Sequence, residues 1–195
     1  MAALEIADHL PATLTAPGLT EEQFLELCAH FPDAMVEYSG DGIVTIMPPA
    51  GLETGKQTAL LVSRLVVWAE QISLGSVVGP DVSYHFGDGS RRSPDASWFN
   101  EARWQQARSS GQRYPVFAPE FVIELRSPDD RIRALREKMA EYIENGVLLA
   151  WLIDPLEKTG TIYRPGRDPE VLVNPSSVSG EGPVEGFMLS LDRIL

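Results

Sequence analysis

The sequence reads PDASWF at residues 94–99 and PEFVIELRSP at residues 119–128, and these two stretches decide the fold. Both are short, largely apolar and preceded by proline, which predicts two strands. Each also contains a carboxylate, Asp95 in the first and Glu124 in the second. An ionised carboxylate removed from water costs several kcal/mol unless a cation pairs with it. The sequence therefore predicts a cation beside these strands, and our hypothesis is a metal ion.

The other elements follow from hydrophobic periodicity. Helical spacing predicts the longest helix at about residues 55–73, and alternation around a Gly-Asp-Gly turn predicts a hairpin within residues 35–47. A helix is expected at roughly 130–144 and a buried strand at Val147–Ile153, which is continuously apolar. Together with the strand at 121–126, these last two predict a right-handed β–α–β crossover.

This order of elements indicates an α/β (α+β) protein, with a mixed sheet flanked by helices on both faces. Residues 1–18 contain two prolines and a glycine and are expected to form a loose N-terminal lead-in. Residues 19–195 are expected to form a single domain, which is long enough to bury a sizeable core.

Composition narrows the class of protein. No apolar run approaches the roughly 20 residues that span a bilayer, and the first residues lack the pattern of a signal peptide. Cys28 is the only cysteine, so a disulfide framework is not expected. These features predict a cytoplasmic protein without a membrane partner. The net charge of −12 leans against a nucleic-acid ligand, although arginines concentrated in the middle third leave room for a local basic surface.

Two readings compete for Glu124 and for Lys138. Strand alternation puts Glu124 on one face with Arg126, so the acid could be neutralised by an internal ion pair or lie at a solvated strand end. Lys138 lies at the border of an apolar helical stripe, between Leu135 and Tyr142, where lysines often reach out to solvent. The alternative is that this helix packs back over the preceding strand, so that the ammonium reaches the carboxylates.

If Lys138 reaches the carboxylates, these residues predict a site for a hard cation. Asp95 and Glu124, with the backbone carbonyl of Leu125, would supply oxygen ligands suited to Mg²⁺ or Mn²⁺. Lys138 would orient the attacking water or contact the phosphate, and Glu37 would bind the ion directly or through water. Such an ion offsets charge that grows on a phosphate, so the predicted chemistry is phosphodiester hydrolysis.

Several sequence motifs also indicate phosphodiester hydrolysis. Pro94-Asp95 followed a strand later by Glu124-Leu125-Arg126 resembles the PD-(D/E)xK signature of restriction-endonuclease-like nucleases. The longer phrases FVIELRSP, KMAEY and WLIDP, which begin at residues 121, 138 and 151, resemble the Uma family of this superfamily. The resemblance implies a restriction-endonuclease-like mixed sheet flanked by helices, metal ligands at Asp95 and Glu124, and an acidic residue of the first hairpin at Glu37.

One position departs from the signature. Arg126 stands where the signature has its lysine, and arginine can hold a phosphate but does not release its proton at neutral pH. Either Lys138 supplies the lysine from the neighbouring helix, or hydrolysis is impaired. We favour the first interpretation.

Three functions are therefore kept open. The first is a Mg²⁺-dependent endonuclease acting on DNA, with DNA inferred from the chemistry of the superfamily. The second is a binding module of the same fold without catalysis, and the third is a metal-dependent hydrolase of a small phosphorylated molecule. A homodimer would suit a duplex-cutting enzyme, with Val147–Ile153 or the C-terminal tail as the expected interface.

Overall fold

A computed structural model describes residues 9–73 and 75–195 of the chain. Within these described residues there are four α-helices, at Glu21–His30 (α1), Leu52–Ile72 (α2), Glu101–Ser110 (α3) and Ile132–Glu144 (α4). The strands are Ala12–Thr15 (β1), Met35–Tyr38 (β2), Ile43–Met47 (β3), Ser76–Val78 (β4), Tyr84–His85 (β5), Arg91–Arg92 (β6), Ala96–Phe99 (β7), Phe121–Leu125 (β8), Leu149–Asp154 (β9), Thr159–Tyr163 (β10), Glu170–Val173 (β11), Ser177–Ser179 (β12) and Met188–Ser190 (β13).

The central sheet has six strands in the order β11-β10-β9-β8-β7-β4. Strands β8 and β9 are parallel and α4 connects them, as the apolar runs in the sequence predict. Every other pair in this sheet is antiparallel, so the sheet is mixed. All residues of β8 and β9 are buried, which is expected of strands covered on both faces.

Helices cover both faces of the central sheet, which confirms the predicted fold class. Leu61, Leu65 and Trp68 of α2 pack against the side chains of Phe121 and Ile123 on one face. On the other face, α4 packs its own apolar side chains against β8 and β9, and the residues buried there include Val122, Leu135, Met139 and Leu152. The alternation of β8 therefore points its odd-numbered residues at α2 and its even-numbered residues at α4.

A second sheet, in the order β1-β3-β2-β6-β5, is formed by strands from the N-terminal half of the chain. Residues 9–18 are more ordered than the loose lead-in expected from the sequence, because β1 pairs with β3 over Ala12–Thr15. The part of that lead-in at residues 1–8 lies outside the described residues. Helix α1 begins at a capping box, in which Thr20 and Gln23 each accept a backbone hydrogen bond from the other.

The C-terminal segment completes the core. Strands β12 and β13 form a hairpin-like pair, and Val178, Phe187 and Leu189 are buried in the core on the α2 side. The expectation that Val147–Ile153 offers a dimer interface is wrong, because β9 lies between β8 and β10 and is buried. Among the described residues, no helix is long and apolar enough to cross a membrane.

Candidate metal-dependent hydrolytic site

Three elements bring a buried lysine and two carboxylates together on the α4 side of the central sheet. Lys138 of α4 places its Nζ 2.9 Å from Oε1 of Glu124 on β8. The same Nζ lies 2.8 Å from Oε1 of Glu37, which is on β2 of the other sheet. All three side chains are buried. The interpretation of Lys138 as a solvent-reaching surface lysine is therefore wrong, because α4 packs back over β8.

Tyr142 holds Glu124 from the same helix. Its hydroxyl donates a hydrogen bond of 2.7 Å to Oε1 of Glu124, the oxygen that also faces Lys138. Lys138 and Tyr142 are four residues apart and so share one face of α4. The sequence predicts Tyr142 only as an apolar-face residue, because its spacing does not distinguish a core tyrosine from one that binds a carboxylate.

Asp95 lies beside the carboxyl end of β8. Its Oδ2 accepts a hydrogen bond of 2.7 Å from the backbone N–H of Leu125, which follows Glu124 directly. Asp95 comes just before β7, and Ala96 and Trp98 of that strand face α2. By alternation, Asp95 shares the α4 side with Glu124. The two acids predicted from separate strands are thus held at one end of two neighbouring strands, and Asp95 is the more exposed of them.

A second cation supports this cluster and was not expected from the sequence. Arg92 places NH1 3.3 Å from Oε2 of Glu37 and binds Glu141 through two hydrogen bonds of 2.7 and 2.8 Å. The backbone N–H of Ser93 donates to Oε1 of Glu37 at 2.8 Å. Both oxygens of Glu37 therefore have protein partners. Arg92 lies in a strand of two residues, which is too short to show a periodic pattern.

The protonation of the cluster is set by burial and by its uneven charge. Burial raises the pKa of Asp95 to about 6, and a backbone hydrogen bond opposes this only in part. Burial also raises the pKa of Glu124 to about 8, although the ammonium of Lys138 acts to lower it. Burial acts on Glu37 in the same direction, but Lys138 and Arg92 outweigh it and hold the pKa of Glu37 below its ordinary value. For Lys138, burial acts to lower the pKa, and the two glutamates raise it above the ordinary value.

Comparison with known proteins identifies the family. A family model named Uma2 and described as "Putative restriction endonuclease" matches residues 21–192. The chain belongs to the Uma2 family.

A solved structure supports the fold of this Uma2 protein. It is similar to the crystal structure of a "putative nuclease belonging to DUF820" from Anabaena variabilis, with a TM-score of 0.70 and 24% sequence identity. The match covers 82% of this chain and 88% of the other. No curated protein matches the sequence.

Arg126 of this Uma2 chain has a partner other than the one first considered for it. Its NH1 lies 2.8 Å from Oδ2 of Asp154, at the end of the neighbouring strand β9. The partner of Glu124 is Lys138, so the alternative of a Glu124–Arg126 ion pair is wrong. Arg126 nevertheless stays at the carboxyl end of β8, close in sequence to the cluster.

The donor set fits a hard divalent cation. Asp95 and Glu124 each use one carboxylate oxygen within the protein. Their other oxygens, Oδ1 and Oε2, accept no hydrogen bond from the described residues. The described residues include no group of three His, Cys, Asp or Glu side chains arranged to hold a metal. An ion here would therefore have the two carboxylates, a backbone carbonyl and water as ligands, which are the oxygen donors that Mg²⁺ accepts.

Proposed function

We propose that this protein is a Mg²⁺- or Mn²⁺-dependent endonuclease that hydrolyses phosphodiester bonds of DNA. The observation that carries the proposal is the buried ammonium of Lys138, held between Glu37 and Glu124 beside a further carboxylate, Asp95. Desolvated carboxylates with raised pKa values, such as Asp95 and Glu124, are typical of a functional site, and such sites lower the stability of a fold. Membership of a family whose model is described as "Putative restriction endonuclease" supports the same chemistry.

In this proposal Asp95, Glu124 and the backbone carbonyl of Leu125 would hold the cation. When bound, Mg²⁺ or Mn²⁺ supplies positive charge that offsets the charge growing on the phosphate in the transition state. Burial raises the pKa of both acids, and a bound cation would offset that cost because it stabilises their ionised forms.

Lys138 acts as a donor and not as a base. Its raised pKa keeps the side chain charged at neutral pH, and an ammonium has three N–H donors. Two of them face Glu37 and Glu124, so the third is left to contact a phosphate oxygen or to orient the attacking water. This proposal gives Lys138 the role that the signature assigns to the residue at position 126.

Glu37 and Arg126 have supporting roles in the proposal. Because both oxygens of Glu37 already accept hydrogen bonds or ion pairs, we assign it to positioning Lys138 rather than to direct metal binding. Arg126 keeps further N–H donors beyond the one facing Asp154, and a guanidinium there would bind the phosphate of an adjacent nucleotide.

The test is cleavage of supercoiled plasmid by purified protein in Mg²⁺ or Mn²⁺, with EDTA as the blank. Asp95→Asn and Glu124→Gln are nearly isosteric and should each abolish nicking and linearisation. Asp129→Ala is the matched control, because Asp129 is an exposed acid on the loop after β8. Cleavage that persists in both site variants, or that is lost in the control, would reject the assignment.

A second function has one observation in its favour. The net charge of −12 repels a long polyanion, whereas a small phosphorylated molecule meets only the local field of the site. Hydrolysis of bis(p-nitrophenyl) phosphate without any cleavage of plasmid or oligonucleotide would favour this alternative. A DNA substrate would be met in the cytoplasm, which is the expected location.

A homodimer completes the proposal for duplex DNA. Strand β11 lies at the edge of the central sheet in the C-terminal segment and exposes Val171 and Val173. Two copies that pair through this edge would carry one site for each DNA strand. Sedimentation equilibrium should then give twice the chain mass of 21.5 kDa, and Val173→Lys should return the protein to a monomer.

A further inference from the structure

A cavity of about 270 Å³ lies at the opposite end of β7 from Asp95. It is enclosed by α3, by the loop at residues 111–117 and by the end of β4, and its lining includes Val78, Phe99, Trp104, Arg108, Arg113 and Tyr114. No part of the candidate hydrolytic site lines it. The cavity is therefore a separate feature of the molecule.

Two pairs of an arginine and an aromatic ring line this cavity. Cζ of Arg108 lies 5.9 Å from the centre of the Trp104 ring, and Cζ of Arg113 lies 5.2 Å from the centre of the Tyr114 ring. A guanidinium that rests its face on a ring keeps its in-plane N–H donors for another ligand. Neither arginine has a carboxylate within 4.0 Å among the described residues.

Packing alone does not account for α3, which carries Trp104 and Arg108. The helix buries none of its residues, and Trp104 exposes 36% of its surface to water. A polar helix without a buried face gains little from the core, and the Trp104 ring leaves part of its surface available to a ligand. A simpler explanation is that the ring–guanidinium contacts only stabilise the loop. That explanation does not account for an accessible cavity beside them.

The cavity and the hydrolytic site lie on the same side of the central sheet. Phe99 at the cavity and Asp95 at the site have the same parity in β7, so both face the α4 side. Four residues of a strand advance by roughly 13 Å. On a DNA strand with a phosphate about every 3.4 Å along the axis, this separates the two places by about four nucleotides.

We propose that this cavity holds one nucleotide of the nucleic-acid strand that the hydrolytic site acts on. Trp104 stacks against the base, and Arg108 and Arg113 donate to the flanking phosphates. The cavity is lined by cations and by no acidic side chain in a chain of net charge −12, which is complementary to a polyanion. The flat ring of Trp104 favours a nucleotide over an acidic peptide, because a peptide carboxylate offers no base to stack on that ring. This inference rests on the proposed function for its choice of substrate.

The experiment measures binding without cleavage. Fluorescence anisotropy of a short fluorescein-labelled oligothymidine is followed in EDTA, over a series of salt concentrations, with the full chain. Trp104→Ala should weaken binding about tenfold by loss of stacking, with an unchanged dependence on salt. Arg113→Ala should weaken binding and also reduce the slope of log affinity against log salt by roughly 0.7. Trp104→Phe, which retains a ring, should recover most of the lost affinity.

The control is Arg133→Ala, which removes an exposed arginine of α4 that pairs with Glu137. It should change affinity by less than about twofold, as expected for general electrostatics alone. Equal losses in Arg133→Ala and Arg113→Ala would overturn the proposal, and so would polyglutamate that competes as well as unlabelled oligothymidine. Because the assay contains no divalent ion, an absence of nuclease activity leaves a positive binding result standing. Plasmid cleavage with unchanged binding in Trp104→Ala and Arg113→Ala would overturn the cavity alone.

Discussion

Lys138 is a buried cation shared by two carboxylates, and each member of this trio depends on the others. Its Nζ lies 2.8 Å from Glu37 and 2.9 Å from Glu124, with only 9% of the residue exposed. Removing an ammonium from water costs several kcal/mol, which is offset only by well-placed anions. Without the lysine, the two glutamates would in turn be buried with less positive charge around them.

Lys138→Met should therefore destabilise the protein as well as inactivate it. Loss of one partner from a buried charge cluster costs about 3–5 kcal/mol, and we expect a fall of this size in the free energy of unfolding in urea. Lys138→Arg retains the charge and should lose less stability, which makes it the matched variant for judging cleavage. If Lys138→Met unfolds at the same urea concentration as the original protein, the ammonium does not stabilise the carboxylates. Unchanged cleavage in Lys138→Arg and Lys138→Met together would refute its role as a phosphate or water donor.

Glu37→Gln separates positioning from metal binding. Because Glu37 contacts Lys138, Arg92 and the Ser93 N–H, its amide variant should misplace the ammonium and slow cleavage about 10–100-fold. Its affinity for Mg²⁺ should change less than about twofold in calorimetric titration. Asp95→Asn, measured beside it, should lose Mg²⁺ binding. Equal loss of Mg²⁺ affinity in both variants would make Glu37 a ligand.

At the residue scale, the sequence was informative where a charge interrupted an apolar pattern. Asp95, Glu124 and Lys138 stand out for that reason, and the structure brings them to one end of β7 and β8. Arg92 and Tyr142 could not be found in this way. An arginine in a two-residue strand breaks no pattern, and a tyrosine in a helical stripe is indistinguishable from core.

At the scale of elements, periodicity predicts those that bury a whole face and misses those that do not. Strands β8 and β9 and the helices α2 and α4 were predicted because packing against the central sheet demands continuous apolar residues. Strand β1 has only four residues and exposes three of them, so backbone pairing with β3 defines it more than its side chains do. Backbone pairing leaves no hydrophobic signature in the sequence.

Gly75 tests how closely β4 must approach β7. It has a φ of +101°, and an added Cβ would lie 2.4 Å from the Phe99 carbonyl oxygen and 2.8 Å from the Trp98 ring. Gly75→Ala should therefore lower the free energy of unfolding by more than about 2 kcal/mol, by combined backbone strain and overpacking. Gly79→Ala is the control, because nothing lies within 4 Å of its added Cβ and its φ is not positive. Similar unfolding midpoints for the two variants would show that β4 can move aside.

At the scale of the whole molecule, the proposed function requires an acidic chain to bind a divalent cation among carboxylates that resist ionisation. The pKa of Asp95 is about 6 and that of Glu124 about 8, while a metal ligand has to be ionised. Mg²⁺ affinity should therefore increase as pH rises from 6 to 8, and binding at pH 7 should release protons. Calorimetry in two buffers of different ionisation enthalpy measures both effects. An affinity independent of pH across this range would place the ion at other residues.

The same carboxylates should limit the stability of the metal-free protein. Burial raises the pKa of Asp95 to about 6 from an ordinary value of 3.8, so the folded state binds more protons than the unfolded chain between these pH values. The contribution of Asp95 to stability therefore falls as pH rises through this window and stays low above it. Asp95→Asn removes the charge and can keep the hydrogen bond from the Leu125 N–H. In EDTA at pH 8, its free energy of unfolding should therefore be about 1 kcal/mol higher than that of the original protein. At pH 5 the gain should shrink, and added Mg²⁺ should stabilise only the original protein. A variant that is less stable at both pH values would mean that the carboxylate contributes to the fold and carries no cost of ionisation for a ligand to relieve.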